Sequence, residues 1–287
     1  MSKNYFSLSI LIKEEFFEQA YFFLSDVPFI GMEEKYDEII LYFEEKNWND
    51  KIHSDLLSFF NNNMISAKIS SVKILPEKNW NEEWEKNLEP IIISKDLIIS
   101  PESKQNLFDC KNKILINPKM SFGTGHHSTT KLLAIMIENF FKENNSLKKD
   151  IWIDAGTGTG ILAIIAAKLG AKKVYAFDKD EWALENSKEN IALNKVNHIV
   201  NIEQCEIENF VFPESNCVCA NLFLGLIIKS FPVFWNSLAK HNGILFVSGV
   251  LLFDREELLF SAKENGFFLL DEMQELEWCC FKFGLAK

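Results

Sequence analysis

The stretch Asp154-Ala-Gly-Thr-Gly-Thr-Gly160 decides the fold of this chain. It follows an apolar, strand-like run, Ile151-Trp-Ile153, and leads into a helix-like run from Ile161 to Leu169. Glycine lets the backbone turn sharply and admits a ligand with no Cβ in the way. The helix start that follows offers free N–H groups. A second strand pattern, Lys173-Val-Tyr-Ala-Phe177, ends in Asp178, twenty-two residues after Gly156. An acidic residue at that distance, at the tip of the next strand, is placed to accept hydrogen bonds from ribose hydroxyls. This half of the chain is therefore expected to hold an adenosine-type cofactor.

Working outward, strand patterns at 151–154, 173–178, 199–204, 216–221 and 243–249 alternate with helix patterns at 161–169, 181–194, 223–239 and 254–265. Such alternation predicts a parallel, doubly wound sheet. The tail, Phe267 to Met273 and Trp278 to Phe283, has too short a connection for anything but antiparallel pairing. Upstream lie strand patterns at 90–93, 97–100 and 113–117, a glycine-bearing loop from Met120 to Ser128, and a helix from about Thr129 to Lys142. The α/β domain is thus placed at 91–287.

The spacing of the turn bears on the cofactor. The dinucleotide fingerprint G-x-G-x-x-G uses its third glycine for close helix–strand packing. Here the order is Gly156-x-Gly158-x-Gly160, and Ile161 occupies that third place. With Asp154 before the turn, this resembles the first motif of class I S-adenosylmethionine (SAM) methyltransferases more than a nicotinamide site. The antiparallel tail points the same way. An NAD-dependent oxidoreductase remains the alternative that a titration with each cofactor would separate.

Residues 1–75 read differently. Strand patterns at 4–12, 28–32, 38–43 and 65–75, with helices at 14–24 and 48–60 and a turn around Glu33-Glu34-Lys35, give the order β-α-β-β-α-β. That is the order of a ferredoxin-like α+β module. Through residue 68 it carries six lysines against twelve acidic residues, or −6. It is either a packing accessory or a recognition arm for a basic substrate. Residues 76–90, bounded by prolines, read as a helical linker with Trp80, Trp84 and Leu88 on one stripe.

Composition narrows the partners. The 287 residues hold 30 basic and 41 acidic side chains, for −11, and Arg255 is the only arginine. Arginine is the usual bidentate reader of phosphates and guanine edges, so the chain is a poor candidate for sequence-specific nucleic-acid binding. It suits a basic partner better, such as a lysine-rich protein. The six cysteines form no C-x-x-C pair and read as reduced core residues, with no zinc or other metal site expected. No signal peptide and no membrane-spanning run are read, and a cytoplasmic location is expected.

Two further stretches carry chemistry. Phe122-Gly-Thr-Gly-His-His-Ser-Thr-Thr130 precedes a helix, and Ala220-Asn221 ends the strand at 216–221. Ligands of open α/β sheets sit beyond the carboxyl ends of the strands, so Asn221 falls on the rim shared by Gly156 and Asp178. Ser128, Thr129 or Asn221 could also serve only as helix caps.

Together these stretches resemble the ribosomal protein L11 methyltransferase family (PrmA). The matching residues are Trp80-Asn-Glu-Glu-Trp84, Phe122 to Thr130, Asp154 to Ala167, Asp178-Lys-Asp180, Ala220-Asn221, Ser248-Gly249 and Glu277-Trp278. The family usually has Cys or similar at the place of Thr157, and Ile-Leu-Ala where this chain has Leu222-Phe223-Leu224. The resemblance implies SAM contacts from Thr130, Gly156, Asp178 and Asn221, to which the turn adds Asp154, Gly158 and Gly160. It also implies recognition of a large-subunit ribosomal protein by the N-terminal module, and methylation of lysine ε-amines and the N-terminal α-amine. Asn221 and the Leu222 carbonyl are the expected amine acceptors. Phe122 is the expected cation–π partner, and His127 the proton acceptor or orienter. The competing readings are an amine methyltransferase acting on a small molecule or nucleobase, and a SAM-binding protein without activity.

Overall fold

The computed structural model describes residues 4–24, 27–76, 88–107, 109–117, 119, 121, 123–143 and 150–286. Its backbone contacts divide the chain into two compact units, Met1–Trp80 and Asn81–Lys287. The expected helical linker, with Trp80 and Trp84, lies outside the described residues over 77–87.

In the first unit, β1 (Asn4–Ile12), α1 (Phe17–Leu24), β2 (Gly31–Lys35), β3 (Glu38–Glu44), α2 (Asp50–Asn62) and β4 (Ala67–Pro76) follow in order. The sheet runs β2-β3-β1-β4, every pair antiparallel, as expected of a ferredoxin-like module. Alternation places Leu8, Ile10 and Ile12 of β1 and Ile39, Leu41 and Phe43 of β3 on one face. They pack with Ala20 and Leu24 of α1 and Ile52, Leu56 and Phe60 of α2. Asn49 starts α2, its side chain accepting the Ile52 N–H at 3.1 Å. The turn expected at Glu33-Glu34-Lys35 is corrected: those residues are strand, and Tyr36-Asp37 close the hairpin. Asp37 takes φ 53, a conformation Asp tolerates better than most residues.

The second unit opens with a three-stranded sheet of β5 (Ile91–Ile92), β6 (Leu97–Ser100) and β7 (Asn112–Leu115). Then come α3 (Ser128–Glu143), β8 (Ile151–Ala155), α4 (Ile161–Leu169), β9 (Lys173–Asp178), α5 (Glu181–Leu193) and β10 (Val200–Gln204). β11 (Cys217–Asn221), α6 (Leu224–Ala239), β12 (Ile244–Leu251), α7 (Arg255–Glu264), β13 (Phe267–Glu275) and β14 (Trp278–Leu285) complete it. The seven-stranded order is β10-β9-β8-β11-β12-β14-β13. β8 to β12 pair in parallel, and β14 runs antiparallel to both neighbours.

Parallel strands need cover on both faces. On one face Trp152 stacks between Phe141 of α3 and Phe246 of β12, with ring centroids 5.2 and 5.6 Å away. Ile161 to Ala167 of α4 join the same core. On the other face Phe231 and Phe234 of α6 and Leu258 of α7 pack with Phe177, Phe281 and Phe283. Each such side chain, fully buried, contributes about 1.5–3 kcal/mol of transfer free energy. Strand order reverses between β8 and β11, and ligand sites form outside the carboxyl ends of strands at such a switch point. No described helix is long and apolar enough to cross a membrane.

Candidate active site

β8 ends at Ala155, and Gly156, Gly158 and Gly160 follow at φ 73, 55 and 83. The turn is tied to the tip of β9: the Gly156 and Thr157 N–H groups donate to the Phe177 carbonyl at 3.0 and 2.9 Å. Asp178 is half-buried at that tip. Its Oδ2 accepts the Gly158 N–H at 2.9 Å and its Oδ1 the Asp180 N–H at 3.1 Å. A cavity of about 490 Å³ opens here, lined among others by Gly156, Gly158, Asp178, Ile207, Asn221 and Leu222. Its size suits a cofactor.

Two expected cofactor residues sit elsewhere. Gly160 is buried, and a Cβ there would come within 3.2 Å of Ser187 on α5, so this glycine permits close packing of α4 on α5. Asp154 is 1% exposed beneath the turn. Its Oδ2 accepts the Thr157 hydroxyl at 2.6 Å and the Ala163 N–H at 3.0 Å, and the Cys219 thiol donates to Oδ1 at 3.5 Å. Burial pushes this carboxyl up to about 6; the hydrogen bonds from Thr157, Cys219 and Ala163 oppose that rise, and the Asp178 charge adds to it. Neither residue is among those lining the cavity.

The second stretch meets the same rim. Gly123 accepts the Thr159 hydroxyl at 2.6 Å, which joins the loop before α3 to the glycine turn. His127 Nδ1 lies 2.8 Å from the Thr129 hydroxyl and accepts the Thr129 N–H at 3.4 Å. A backbone N–H can only donate, so Nδ1 is an acceptor and the Thr129 hydroxyl donates to it. Thr129 then presents lone pairs to Asn221, whose Nδ2 donates at 3.2 Å, and also at 3.3 Å to Thr130. This fixes the Asn221 amide, with Oδ1 on the opposite branch. The His127 ring also packs edge-on to Trp278 at 4.9 Å. Thr130, 0% exposed, meets the rim through Asn221. Phe122 lies outside the described residues. Leu222 donates its N–H to the Ser248 carbonyl at 3.1 Å.

Sequence reasoning considered Thr129 only as a helix cap, and it did not single out the run from Cys205 to Glu208, which lines the cavity. The latter was within reach, because it follows β10 directly and so falls on the rim by the same topology that marks Asp178. All six cysteines are free thiols. Among the described residues, no group of three His, Cys, Asp or Glu could hold a metal ion.

A mostly parallel sheet with a reversed strand inserted near its edge, and a glycine turn beside an acidic strand tip, define a Rossmann-like methyltransferase. The family model of ribosomal protein L11 methyltransferase (PrmA) matches residues 6–285, and the chain belongs to that family. It is 30% identical over 285 residues to the ribosomal protein L11 methyltransferase of Chlorobaculum parvum, covering 96% of this chain and 94% of the relative. The corresponding protein of Chlorobaculum tepidum is 31% identical over 282 residues, with the same coverage. The crystal structure of the ribosomal protein L11 methylase from Lactobacillus delbrueckii subsp. bulgaricus matches with a TM-score of 0.60 and 26% identity, covering 70% of this chain and 100% of that one.

Proposed function

We propose that the chain is a SAM-dependent N-methyltransferase acting on lysine ε-amines and the N-terminal α-amine of a large-subunit ribosomal protein. The carrying observation is the Asn221 amide, held by Thr129 and Thr130 so that its carbonyl oxygen is left for an amine donor. The cavity residues fit the cofactor. Gly156 takes φ 73, a conformation that a residue with a Cβ adopts only under strain, so the cradle depends on glycine. Each Asp178 oxygen takes one N–H from the protein and keeps a lone pair for a ribose hydroxyl. When bound, SAM supplies an electrophilic methyl group on a sulfonium.

The chain's own work is on the amine. A lysine with pKa ~10.4 is mostly protonated at pH 7, a deficit of about 4–5 kcal/mol for the nucleophilic form. Asn221 Oδ1 and the Leu222 carbonyl accept its N–H groups and aim its lone pair, and positioning supplies much of the rate. His127 acts as an orienter, holding Thr129 and through it Asn221. The N-terminal unit, with its excess of acidic residues, is the recognition arm for the basic substrate.

Replacing Asn221 by Ala is expected to lower the rate from labelled SAM by about 100-fold while cofactor affinity changes only a few-fold. Thr129→Val, which removes the hydroxyl's bonds to both His127 and Asn221, should cost about tenfold or more. A near wild-type rate for the Asn221 variant sinks the amine-orienting role. Intact-mass comparison of ribosomal proteins from cells with and without the enzyme tests the acceptor: no mass difference overturns it.

A further inference from the structure

The carboxyl-terminal rim of the seven-stranded sheet changes character at the switch point between β8 and β11. Over β8, β9 and β10 it carries Gly156, Gly158, Asp178 and the run Cys205 to Glu208, and the same cavity wall continues past β11 through Asn221, Leu222, Phe223 and Lys229. Over β11, β12 and the β13–β14 turn it carries bare apolar side chains. Phe223 after β11 is 68% exposed, Phe253 after β12 is 95% exposed, and Leu276 in the last turn is 76% exposed. These loops are joined. Leu251 pairs with Trp278, and the Leu252 N–H donates to the Glu277 carbonyl at 2.8 Å. Leu222, beside Phe223, lies against Gly249 of β12. Leu276 sits at φ 53, a strained conformation for leucine; a turn shaped for stability alone favours Gly or Asn there. Exposed apolar side chains gathered on neighbouring loops of one rim mark an interaction site.

The ridge borders the acceptor side of the cavity through Trp278, His127, Thr129 and Asn221. Acidic groups flank it: Glu277 is exposed, and Asp254 and Glu275 are half-buried. Glu275 pairs with Lys131, and the neighbouring cation Arg255 is taken up by Glu272 and Glu256. We infer that this ridge docks the segment of the protein acceptor that flanks the methylated lysine, a basic stretch bearing apolar side chains. The inference rests on the lysine-methylating role proposed above. A second copy of the chain is the poorer occupant, because its own Glu277 and Asp254 would meet these same charges.

The test uses the whole chain and the variant Phe253→Ser/Leu276→Ser. Two synthetic peptides serve as probes, one with a lysine flanked by leucine and phenylalanine, the other with those flanks changed to serine. The wild-type protein is expected to bind the apolar-flanked peptide at least about tenfold more tightly. The variant should lose that preference while its melting temperature and SAM affinity stay unchanged. Equal affinity of the wild type for both peptides, or a preference retained by the variant, overturns the inference. A wild type that shows the preference yet leaves the ribosomal protein unmethylated supports the ridge and removes the proposed acceptor.

Discussion

Asp154 illustrates what a residue's neighbours decide and its position in a motif does not. Its place before the glycine turn points to the cofactor, yet its carboxylate faces inward to Thr157, Ala163 and Cys219. In a parallel strand both faces are covered, so alternation does not reveal which residues look outward. Asp178 and Asn221 were legible because each ends a strand, and the strand's end fixes the rim. The bond from Asn221 to Thr129 was not, because it depends on how the loop before α3 crosses to β11. The burial of Asp154 has a measurable consequence. Its carboxyl sits at about 6 against an ordinary 3.8, so the folded state holds the proton more tightly. That contribution to stability is full below about pH 4 and is lost as pH rises through about 6. The gap corresponds to about 3 kcal/mol. Denaturation of wild type and Asp154→Asn across that range should show the difference in stability shifting toward the variant by about this amount as pH rises. A difference that stays flat would mean the carboxyl titrates in the folded protein as it does in the unfolded chain.

At the scale of elements, β12 is the strand on which the acceptor site leans. It runs past residue 249, where its pattern was expected to end, because a register shift between Ser248 and Val250 carries the pairing with β14 on to Leu251. Gly249 makes the shift possible at φ 88. A Cβ there would lie 2.3 Å from the Leu222 carbonyl oxygen and 2.9 Å from its carbon, both backbone atoms. Gly249→Ala should therefore cost about 2 kcal/mol or more in stability. It should also lower kcat far more than it changes SAM affinity, because the displaced carbonyl is a proposed amine acceptor. Denaturant titration and single-turnover rates measure the two effects; wild-type values of both would show slack at this contact. Elsewhere the catalytic unit was legible to within about two residues per element, since its buried strands read as apolar runs broken by glycine or asparagine. The β2–β3 hairpin was not. Glu33, Glu34 and Lys35 are all exposed on an edge strand, so no apolar alternation marks them as strand.

For the whole molecule, the smaller unit carries the denser negative charge: residues 1–80 hold −5 and residues 81–287 hold −6. Residues 1–68 hold −6 of the chain's −11, with six lysines against twelve acidic residues. A lysine-rich substrate would be steered to such a surface, and steering between exposed charges is what salt removes first. The proposed chemistry rests on hydrogen bonds at the half-buried Asn221 and Asp178, which salt screens less. Raising ionic strength from about 0.1 M to about 1 M shortens the Debye length from about 10 Å to about 3 Å. Over that range the KM for the ribosomal protein should rise severalfold while kcat holds nearly constant. A short lysine peptide that carries only the methylated lysine and its immediate flanks should show a much weaker dependence. Equal salt dependence for protein and peptide would place recognition at the catalytic rim alone and leave the N-terminal unit without the steering role.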